Sequence, residues 1–164
     1  MSIYSTSVDS EIRPIPNTHF AVLLAAVLDK GVPFRFQAGG FSMSPFIRDG
    51  DVITLAPLSK PLRCGQVAAF VHPLSNRLVV HRAIRCLNAD YLFKGDHSPH
   101  PDGWAQHRQV LGRVVRVERN GRRIRLGLGW ESRIIALGSR LGLLLPLVSV
   151  LLAISRPFKR ESSR

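Results

Sequence analysis

Residues 77–86 read RLVVHRAIRC, and this stretch decides the fold class that we predict. Its β-branched and apolar residues favour a β-strand. A period of two places alternate side chains on one face, namely Arg77, Val79, His81 and Ala83. A histidine among apolar neighbours is in most proteins an ordinary sheet residue, so any chemistry at His81 depends on what the fold brings near it.

Five more runs of this kind are separated by clusters of Gly, Pro, Asn and Asp. They are FRFQA at 34–38, DVITLA at 51–56, GQVAAFVH at 65–72, DYLFKG at 90–95 and VLGRVVRVER at 110–119. Two β-hairpins are predicted, one turning at residues 73–76 and the other at Asn120-Gly121, a dipeptide that favours a type I′ turn. Several short strands with these turns predict a mainly β domain.

A short amphipathic helix is predicted over residues 20–28, ahead of the first strand. Asn17 or Thr18 is the expected N-cap and Gly31 the expected end. The expected apolar side consists of Phe20, Leu23, Leu24, Val27 and Leu28. The residues before it include two acids and no lysine, unlike a secretory signal, so we expect no export or anchoring from this end.

Residues 134–155, IIALGSRLGLLLPLVSVLLAIS, are 22 residues with one charge, Arg140, and a basic segment follows them. A spanning helix needs about 20 apolar residues, so the length qualifies, although Arg140 and Pro146 interrupt the run. We predict an apolar C-terminal helical segment that is embedded in a membrane or lies at its surface. A buried helix or a partner-docking segment of a cytoplasmic protein is the alternative.

Three parts follow from these patterns: an N-terminal tail and short helix (1–33), a β domain (34–128), and an apolar, basic-flanked C-terminal segment (129–164). The chain has 164 residues, of which 45% are hydrophobic and 21% charged. This composition excludes a wholly disordered chain and allows one ordinary core.

The formal charge of +12 is concentrated in residues 104–164, which contain thirteen Lys and Arg against three Asp and Glu. Five arginines cluster around the second hairpin: Arg113, Arg116, Arg119, Arg123 and Arg125. Such a cluster is typical of a solvated β-ribbon, and contact with anionic lipid headgroups or nucleic acid is the alternative. Few aromatic residues interleave with the arginines, which disfavours a nucleic-acid partner.

Residues 39–51, GGFSMSPFIRDGD, contain the first candidate for a catalytic residue. The two glycines allow other atoms to approach the backbone closely, and Pro45 restricts the backbone after Ser42. The loop can therefore present Ser42 at a fixed position. On local composition a serine in such a turn is usually only a turn residue. A nucleophilic serine needs a base within about 2.6–3.2 Å, and His81 is the strongest candidate.

Residues 90–104, DYLFKGDHSPHPDGW, supply two carboxylates, Asp96 and Asp102, either of which can accept a hydrogen bond from the second ring nitrogen of His81. Three histidines lie in or near the same region: His97, His100 and His107. Their irregular spacing is typical of solvated loop residues, so we predict neither a metal nor a cofactor.

Two cysteines, Cys64 and Cys86, are too few for a disulfide framework or a four-cysteine zinc site. They lie symmetrically about position 75, so a hairpin in that register would place them opposite each other, within disulfide reach. Two free buried thiols are the favoured interpretation.

Between residues 36 and 117 the chain resembles signal peptidase I relatives in the order and spacing of several short motifs. They are GFSMSP at 40–45 with GDV at 50–52, GQV at 65–67, VHR at 80–82, KGD at 94–96, Asp102, and LGRV at 111–114. The resemblance implies a mostly antiparallel β fold, and its members cleave the signal segments of precursor proteins.

Individual roles are also implied by the resemblance. Ser42 matches the nucleophile, and His81 stands where common bacterial members have lysine and the archaeal and endoplasmic-reticulum type has histidine, the general base. Asp102 matches the acidic partner found after the Lys-Gly-Asp motif, and Asp96, the acid of that motif itself, is the alternative. Many members carry a serine at the position of Gly40 that helps bind the oxyanion, so here backbone N–H groups, including that of Ser42, are expected to do so.

The sequence therefore predicts a membrane-associated serine endopeptidase that cleaves a precursor protein or peptide through an acyl-enzyme. The alternative is a catalytically degenerate protein of the same fold that binds a peptide or an anionic partner.

Overall fold

The computed structural model describes residues 17–143, which form a mainly antiparallel β structure with one helix near each end. The elements are α1 (Asn17–Asp29), β1 (Phe34–Gln37), β2 (Val52–Ala56), β3 (Val67–Val71), β4 (Leu78–Leu87), β5 (Asp90–Lys94), β6 (Gly103–Gln106), β7 (Val110–Arg119), β8 (Arg122–Ile124) and α2 (Ser132–Arg140). All six predicted strands are present, with their ends within two residues of the predicted ones. The fold class "mainly β" is confirmed.

The strands of the described chain form one sheet in the order β1-β2-β7-β3-β4-β5-β6, and β8 pairs with β7. The long strand β7 joins the two halves, because it pairs with β2 through residues 113–118 and with β3 through residues 110–113. The register shifts opposite Thr54/Leu55 of β2 and opposite Ala69/Phe70 of β3, and the extra residue is on β7 in both places, Val115 and Leu111. Such bulges increase strand twist and bend, which lets the sheet curve around its core.

Both predicted hairpins are confirmed. β3 and β4 pair from Val71 opposite Leu78, and the turn between them is the predicted one at residues 73–76. At the second turn Asn120 and Gly121 have φ values of 50° and 74°, the positive pair that a type I′ turn requires. Strand β6 was not predicted, because its four residues follow a proline-rich loop and show no alternation of their own.

Two buried clusters form the core. One packs α1 against β1, β2 and β7 around Leu24, Leu28 and Ile53, and it includes Met43 and Ile47 from the loop between β1 and β2. The other lies in β3–β6 around a stacked pair, Phe70 and Phe93, whose ring centroids are 4.0 Å apart. The loop that carries Ser42 is therefore anchored in the first cluster by its own side chains.

Helix α1 confirms the predicted N-terminal helix, and Gly31, with φ of 77°, follows its end. Leu24 and Leu28 are buried against the sheet, but Leu23 is 46% exposed, so its predicted place on the apolar side is wrong. The buried residues of the helix, Ala21, Leu24 and Leu28, are spaced by three and four positions, and Leu23 lies one position off that line.

The predicted apolar C-terminal helix is not supported. Helix α2 has nine residues and buries only one face, made of Ser132, Ile135, Ala136 and Ser139. Within residues 17–143, no helix combines the length and the apolar character needed to cross a bilayer. Most of the predicted segment 134–155 lies outside the described residues, and the three-part division of the chain stays a prediction.

Candidate active site

Ser42 lies in the loop of residues 38–51, which is fixed at its base and along its length. The base is closed by two backbone bonds, from Ala38 N to Asp51 O (2.7 Å) and from Gly50 N to Ala38 O (2.9 Å). Met43 and Ile47, each 4% exposed, hold the middle of the loop in the core. Ser42 itself is exposed, so the loop holds its hydroxyl in a defined place that a substrate can reach.

His81 lies in β4 opposite Ala68 of β3, with a side chain that is 9% exposed. Its Nε2 is 2.8 Å from the Oγ of Ser42, within hydrogen-bond distance. Phe70 packs near the ring, with 6.5 Å between centroids. The His81 ring is thus nearly removed from solvent and held by a strand rather than by a loop, which fixes its position.

Asp102 lies on the other side of the His81 ring from Ser42, so the three side chains form a row. Its Oδ2 is 2.6 Å from the Nδ1 of His81, and its side chain is 14% exposed. The backbone N–H of Asp102 donates to Phe93 O (2.9 Å), which places the residue just before β6. With Nδ1 protonated toward the carboxylate, Nε2 is left to accept the proton of the Ser42 hydroxyl.

Gly95 sits directly beneath this row. A Cβ at this position would lie 2.5 Å from Ser98 Oγ and 2.7 Å from Ser42 O, closer than a carbon atom tolerates, and 3.1 Å from His81 Nε2, which is tight. The neighbouring loop also bonds to the backbone of Ser42, because His97 N donates to Ser42 O (2.8 Å). The loop after β5 and the Ser42 loop therefore meet in a contact that only glycine permits.

Asp96 does not approach His81. Its two carboxylate oxygens accept bonds from Nε and Nη2 of Arg82 at 2.8 and 2.7 Å, and both side chains are fully buried. Nη1 of Arg82 donates to two carbonyl oxygens, those of Gly65 and Gly127, each at 2.8 Å. This pair joins β4, the β5–β6 loop and the segment before α2 beneath the site.

Two backbone donors near Ser42 differ in their availability. The N–H of Gly40 donates to Asp49 Oδ1 (2.8 Å) and is occupied. The N–H of Ser42 has no acceptor among the described residues. The latter is the donor that the geometry offers to an oxyanion formed by attack of Ser42.

Asp51 braces the end of the same loop. It accepts two bonds from Arg119, at 2.8 and 2.7 Å, and one from Arg48 N (2.8 Å). Burial alone would raise the pKa of Asp51, but the bonds from Arg119 and Arg48 and their charges outweigh it, so this pKa is held below its usual value of 3.8. Asp51 is therefore ionised and keeps the loop attached to β7 at neutral pH.

A groove of about 780 Å³ opens beside Ser42 and His81. Apolar side chains supply most of its wall: Phe20, Phe36, Met43, Ile47, Leu78 and Val80. Arg77, exposed and without an ion-pair partner among residues 17–143, is its only permanently charged lining residue. A groove of this size with few polar groups is typical of a ligand site.

The arginines around the second hairpin are partly neutralised within the domain. Arg116 pairs with Glu118 (2.6 Å), which also pairs with Arg35, and Arg119 pairs with Asp51. Ion pairs within the domain thus account for part of the arginine cluster, which agrees with the interpretation as a solvated β-ribbon.

His97, His100 and His107 take no part in the row of three residues. His97 and His100 are exposed, and His107 Nδ1 lies 3.3 Å from the Tyr91 hydroxyl. In the part of the chain that the structure describes, no group of His, Cys, Asp and Glu has the arrangement of a metal site.

Cys64 and Cys86 are free thiols whose sulfurs are 2.9 Å apart. The hairpin register that would place the two cysteines opposite each other is not the one formed, because Val67 pairs with Arg82, one residue away from it. Cys64 is exposed, so the two thiols are not both buried, and burial, followed by the Cys64 contact, raises the pKa of the Cys86 thiol to about 12.

Sequence reasoning missed three residues that shape the site: Arg82, Gly95 and Arg119. Arg82 and Gly95 lie inside the quoted VHR and KGD motifs, so their position beside His81 and Asp96 was the available signal. Arg119 gave no signal beyond its place in a basic cluster, because its partner Asp51 is 68 residues away.

Comparison with known proteins adds no assignment. A scan against protein-family models gives no match, and a search of curated proteins gives no significant match.

Proposed function

We propose that this chain is a serine endopeptidase of the signal peptidase type, which hydrolyses a peptide bond in a precursor protein or peptide. One observation carries the proposal: Ser42 Oγ, His81 Nε2, His81 Nδ1 and Asp102 Oδ2 form a continuous row with separations of 2.8 and 2.6 Å. The resemblance of the quoted motifs to signal peptidase I relatives supports it independently, because it selected the same three residues.

In the proposed reaction, His81 Nε2 takes the proton of Ser42 as Oγ attacks the scissile carbonyl carbon. The oxyanion forms beside the free N–H of Ser42, and Asp102 stabilises the imidazolium. His81 then gives the proton to the leaving amine, which leaves an acyl-enzyme on Ser42. Water, deprotonated by the same histidine, hydrolyses this ester and restores the serine.

The groove supports an extended peptide as substrate. Among the described strands β1 pairs only with β2, and the pairing of β4 with β5 begins at Arg82, so residues 79–81 pair only with β3. Residues 37–40 and 77–81 line the groove. A peptide that adds as a strand in this groove would bring its carbonyl to Ser42, with main-chain bonds for affinity and apolar pockets for specificity.

A degenerate binding protein of the same fold remains the runner-up. Peptide or anion binding alone requires neither a base buried beside an exposed serine nor an acid on the far ring nitrogen, so the row of three residues favours catalysis. Turnover separates the two functions.

The decisive experiment is cleavage of a peptide library by the purified protein, with products identified by mass spectrometry. We expect cleavage by the wild type and by Ser44→Ala, a matched serine two residues away in the same loop, and none by Ser42→Ala or His81→Ala. The double variant should be no worse than either single one, because the pair acts as a unit. Products from Ser42→Ala at the wild-type rate would overturn the mechanism.

A further inference from the structure

Cys64 and Cys86 form a pair of thiols that the proposed reaction does not use. Their sulfur atoms are 2.9 Å apart, although the residues are 22 positions apart in the chain. Cys64 lies in the segment between β2 and β3, and Cys86 lies near the end of β4. Sulfur atoms in a disulfide bond are about 2.05 Å apart, so these two atoms need to approach by less than about 1 Å to form one.

The backbone on both sides of the pair is fixed in the reduced protein. Beside Cys64, Gly65 N donates to Ala83 O (2.8 Å). Cys86 is paired with Tyr91 in the ladder between β4 and β5, and its side chain packs against the second core cluster. The two thiols are therefore already positioned against each other, which gives them a high effective concentration and favours a bond between them over bonds to other thiols.

The two thiols differ in their access to solvent. Cys64 is exposed, whereas Cys86 is partly buried. Burial and the contact with Cys64 raise the pKa of the Cys86 thiol to about 12, so this thiol is protonated at neutral pH. An oxidant therefore reacts first with Cys64. Once Cys64 carries a mixed disulfide, its contribution to the pKa of Cys86 is lost, and Cys86 can act as the resolving thiol.

A bond between the two sulfurs would join the segment before β3 to β4, close to the buried Arg82. The carbonyl oxygen of Gly65, the residue after Cys64, accepts a bond from Arg82 Nη1 (2.8 Å). The closed loop, residues 64–86, would contain all of β3 and most of β4, including His81. A cross-link across about 20 residues lowers the entropy of the unfolded chain, so it stabilises the folded hairpin.

We propose that Cys64 and Cys86 are a site of reversible oxidation, at which exchange with a small-molecule disulfide forms an intramolecular disulfide bond that stabilises the β3–β4 hairpin. Cys64 Sγ, as the thiolate, attacks one sulfur of the small disulfide, breaks its S–S bond and releases one thiol. Cys86 then loses its proton and attacks Cys64 Sγ, which releases the second thiol. The protein loses two protons and two electrons, and the small disulfide is reduced to two thiols. This site goes beyond the proposed peptidase activity and does not depend on it.

The test uses the full chain, whose only two cysteines are this pair, incubated in its folded state with glutathione disulfide or with dithiothreitol. Thiol titration after denaturation counts the free groups, and the intact mass detects bound glutathione. We expect the oxidised protein to have no free thiol, no bound glutathione and no covalent dimer. Its melting temperature should be at least about 5 °C above that of the reduced protein, and dithiothreitol should reverse both changes.

Single variants separate the roles of the two thiols. Cys86→Ser should stop at a mixed disulfide of glutathione on the exposed Cys64. Cys64→Ser should react at least about tenfold more slowly, because its remaining thiol is partly buried and protonated. The double variant, Cys64→Ser with Cys86→Ser, is the matched control, and its melting temperature should be the same after both treatments.

Three results would overturn the inference. They are two free thiols that persist in glutathione disulfide, a wild-type chain that stops at bound glutathione or at a covalent dimer, and an intramolecular disulfide that leaves the melting temperature unchanged. None of these measurements uses turnover. Loss of the peptidase proposal would therefore leave the thiol result standing, and the reverse also holds.

Discussion

The loop between β5 and β6 contains two aspartates, Asp96 near its start and Asp102 at its end, and the two residues have opposite surroundings. Asp96 is fully buried and locked by two bonds to the charged guanidinium of Arg82. Asp102, six residues later, is 14% exposed and meets the imidazole of His81. Two like residues in one loop thus face neighbouring residues of β4, one a permanent cation and the other a proton carrier.

The two aspartates therefore have different roles, although they lie in one loop: Asp96 contributes to stability, and Asp102 to the proposed reaction. A buried carboxylate paired with a permanent positive charge contributes little net stability. Removing the carboxylate is costly, because its partner is then left charged and unpaired in the interior. A carboxylate on a histidine fixes a tautomer and stabilises a charge that appears only during reaction. Arg82 and His81 are consecutive residues of β4, so their side chains point to opposite faces of the sheet, and each pairs with a different aspartate.

Asp102→Asn should have the largest effect in this comparison. The amide keeps the shape but stabilises the wrong tautomer of His81, and the loss of turnover should approach about 10⁴-fold with the melting temperature nearly unchanged. Peptide cleavage and thermal unfolding measure both quantities, with exposed Asp90→Asn as the matched control. Activity within tenfold of the wild type would remove Asp102 from the mechanism.

Asp96→Asn should act on folding instead. It leaves Arg82 charged and incompletely paired in the interior, at a cost of about 3–5 kcal/mol in the free energy of unfolding. Urea unfolding measures this cost, and turnover at a low temperature, where the variant is still folded, should stay close to that of the wild type. A variant that is as stable as the wild type but inactive would reverse the two assignments.

Gly95→Ala tests the contact that lies between the two acids. The added methyl must push against Ser42 O at 2.7 Å, and a displacement of the nucleophile by about 1 Å costs roughly 100-fold in turnover. Gly138→Ala, in α2 where a Cβ meets nothing within 4 Å, is the control. Equal turnover in both variants would show that the β5–β6 loop adjusts to the added methyl group without displacing Ser42.

Asp51 offers a third aspartate for the comparison, paired with an arginine that is 24% exposed. Its pKa is lower in the folded protein than its usual 3.8, so its contribution is complete above that pH and is lost as the pH falls through the lower, folded value. Asp51→Asn should cost about 2 kcal/mol at neutral pH. The gap in melting temperature between variant and wild type should narrow below pH about 4; a constant gap would contradict this account.

Much of the fold was predictable because its signals are local. Alternation and turn residues located six strands, both hairpins and α1 within a few positions, and the same motifs supplied Ser42, His81 and Asp102. What local patterns missed depends on distant partners. Strand β6 exists because β5 offers an edge, and the register of β3 against β4 differs by one residue from the one that the cysteine spacing suggested.

By itself the sequence determined the strand pattern, the turns, the charge distribution and a short set of candidate residues, since these depend on side-chain type and near neighbours. Only the tertiary structure decided which aspartate reaches His81, which arginines are neutralised, and which side of α2 stays uncovered. Those outcomes depend on residues 14 to 68 positions apart that the curved sheet brings within hydrogen-bond distance. Hydrogen bonds and steric contacts act over a few ångströms, and sequence spacing does not report such distances.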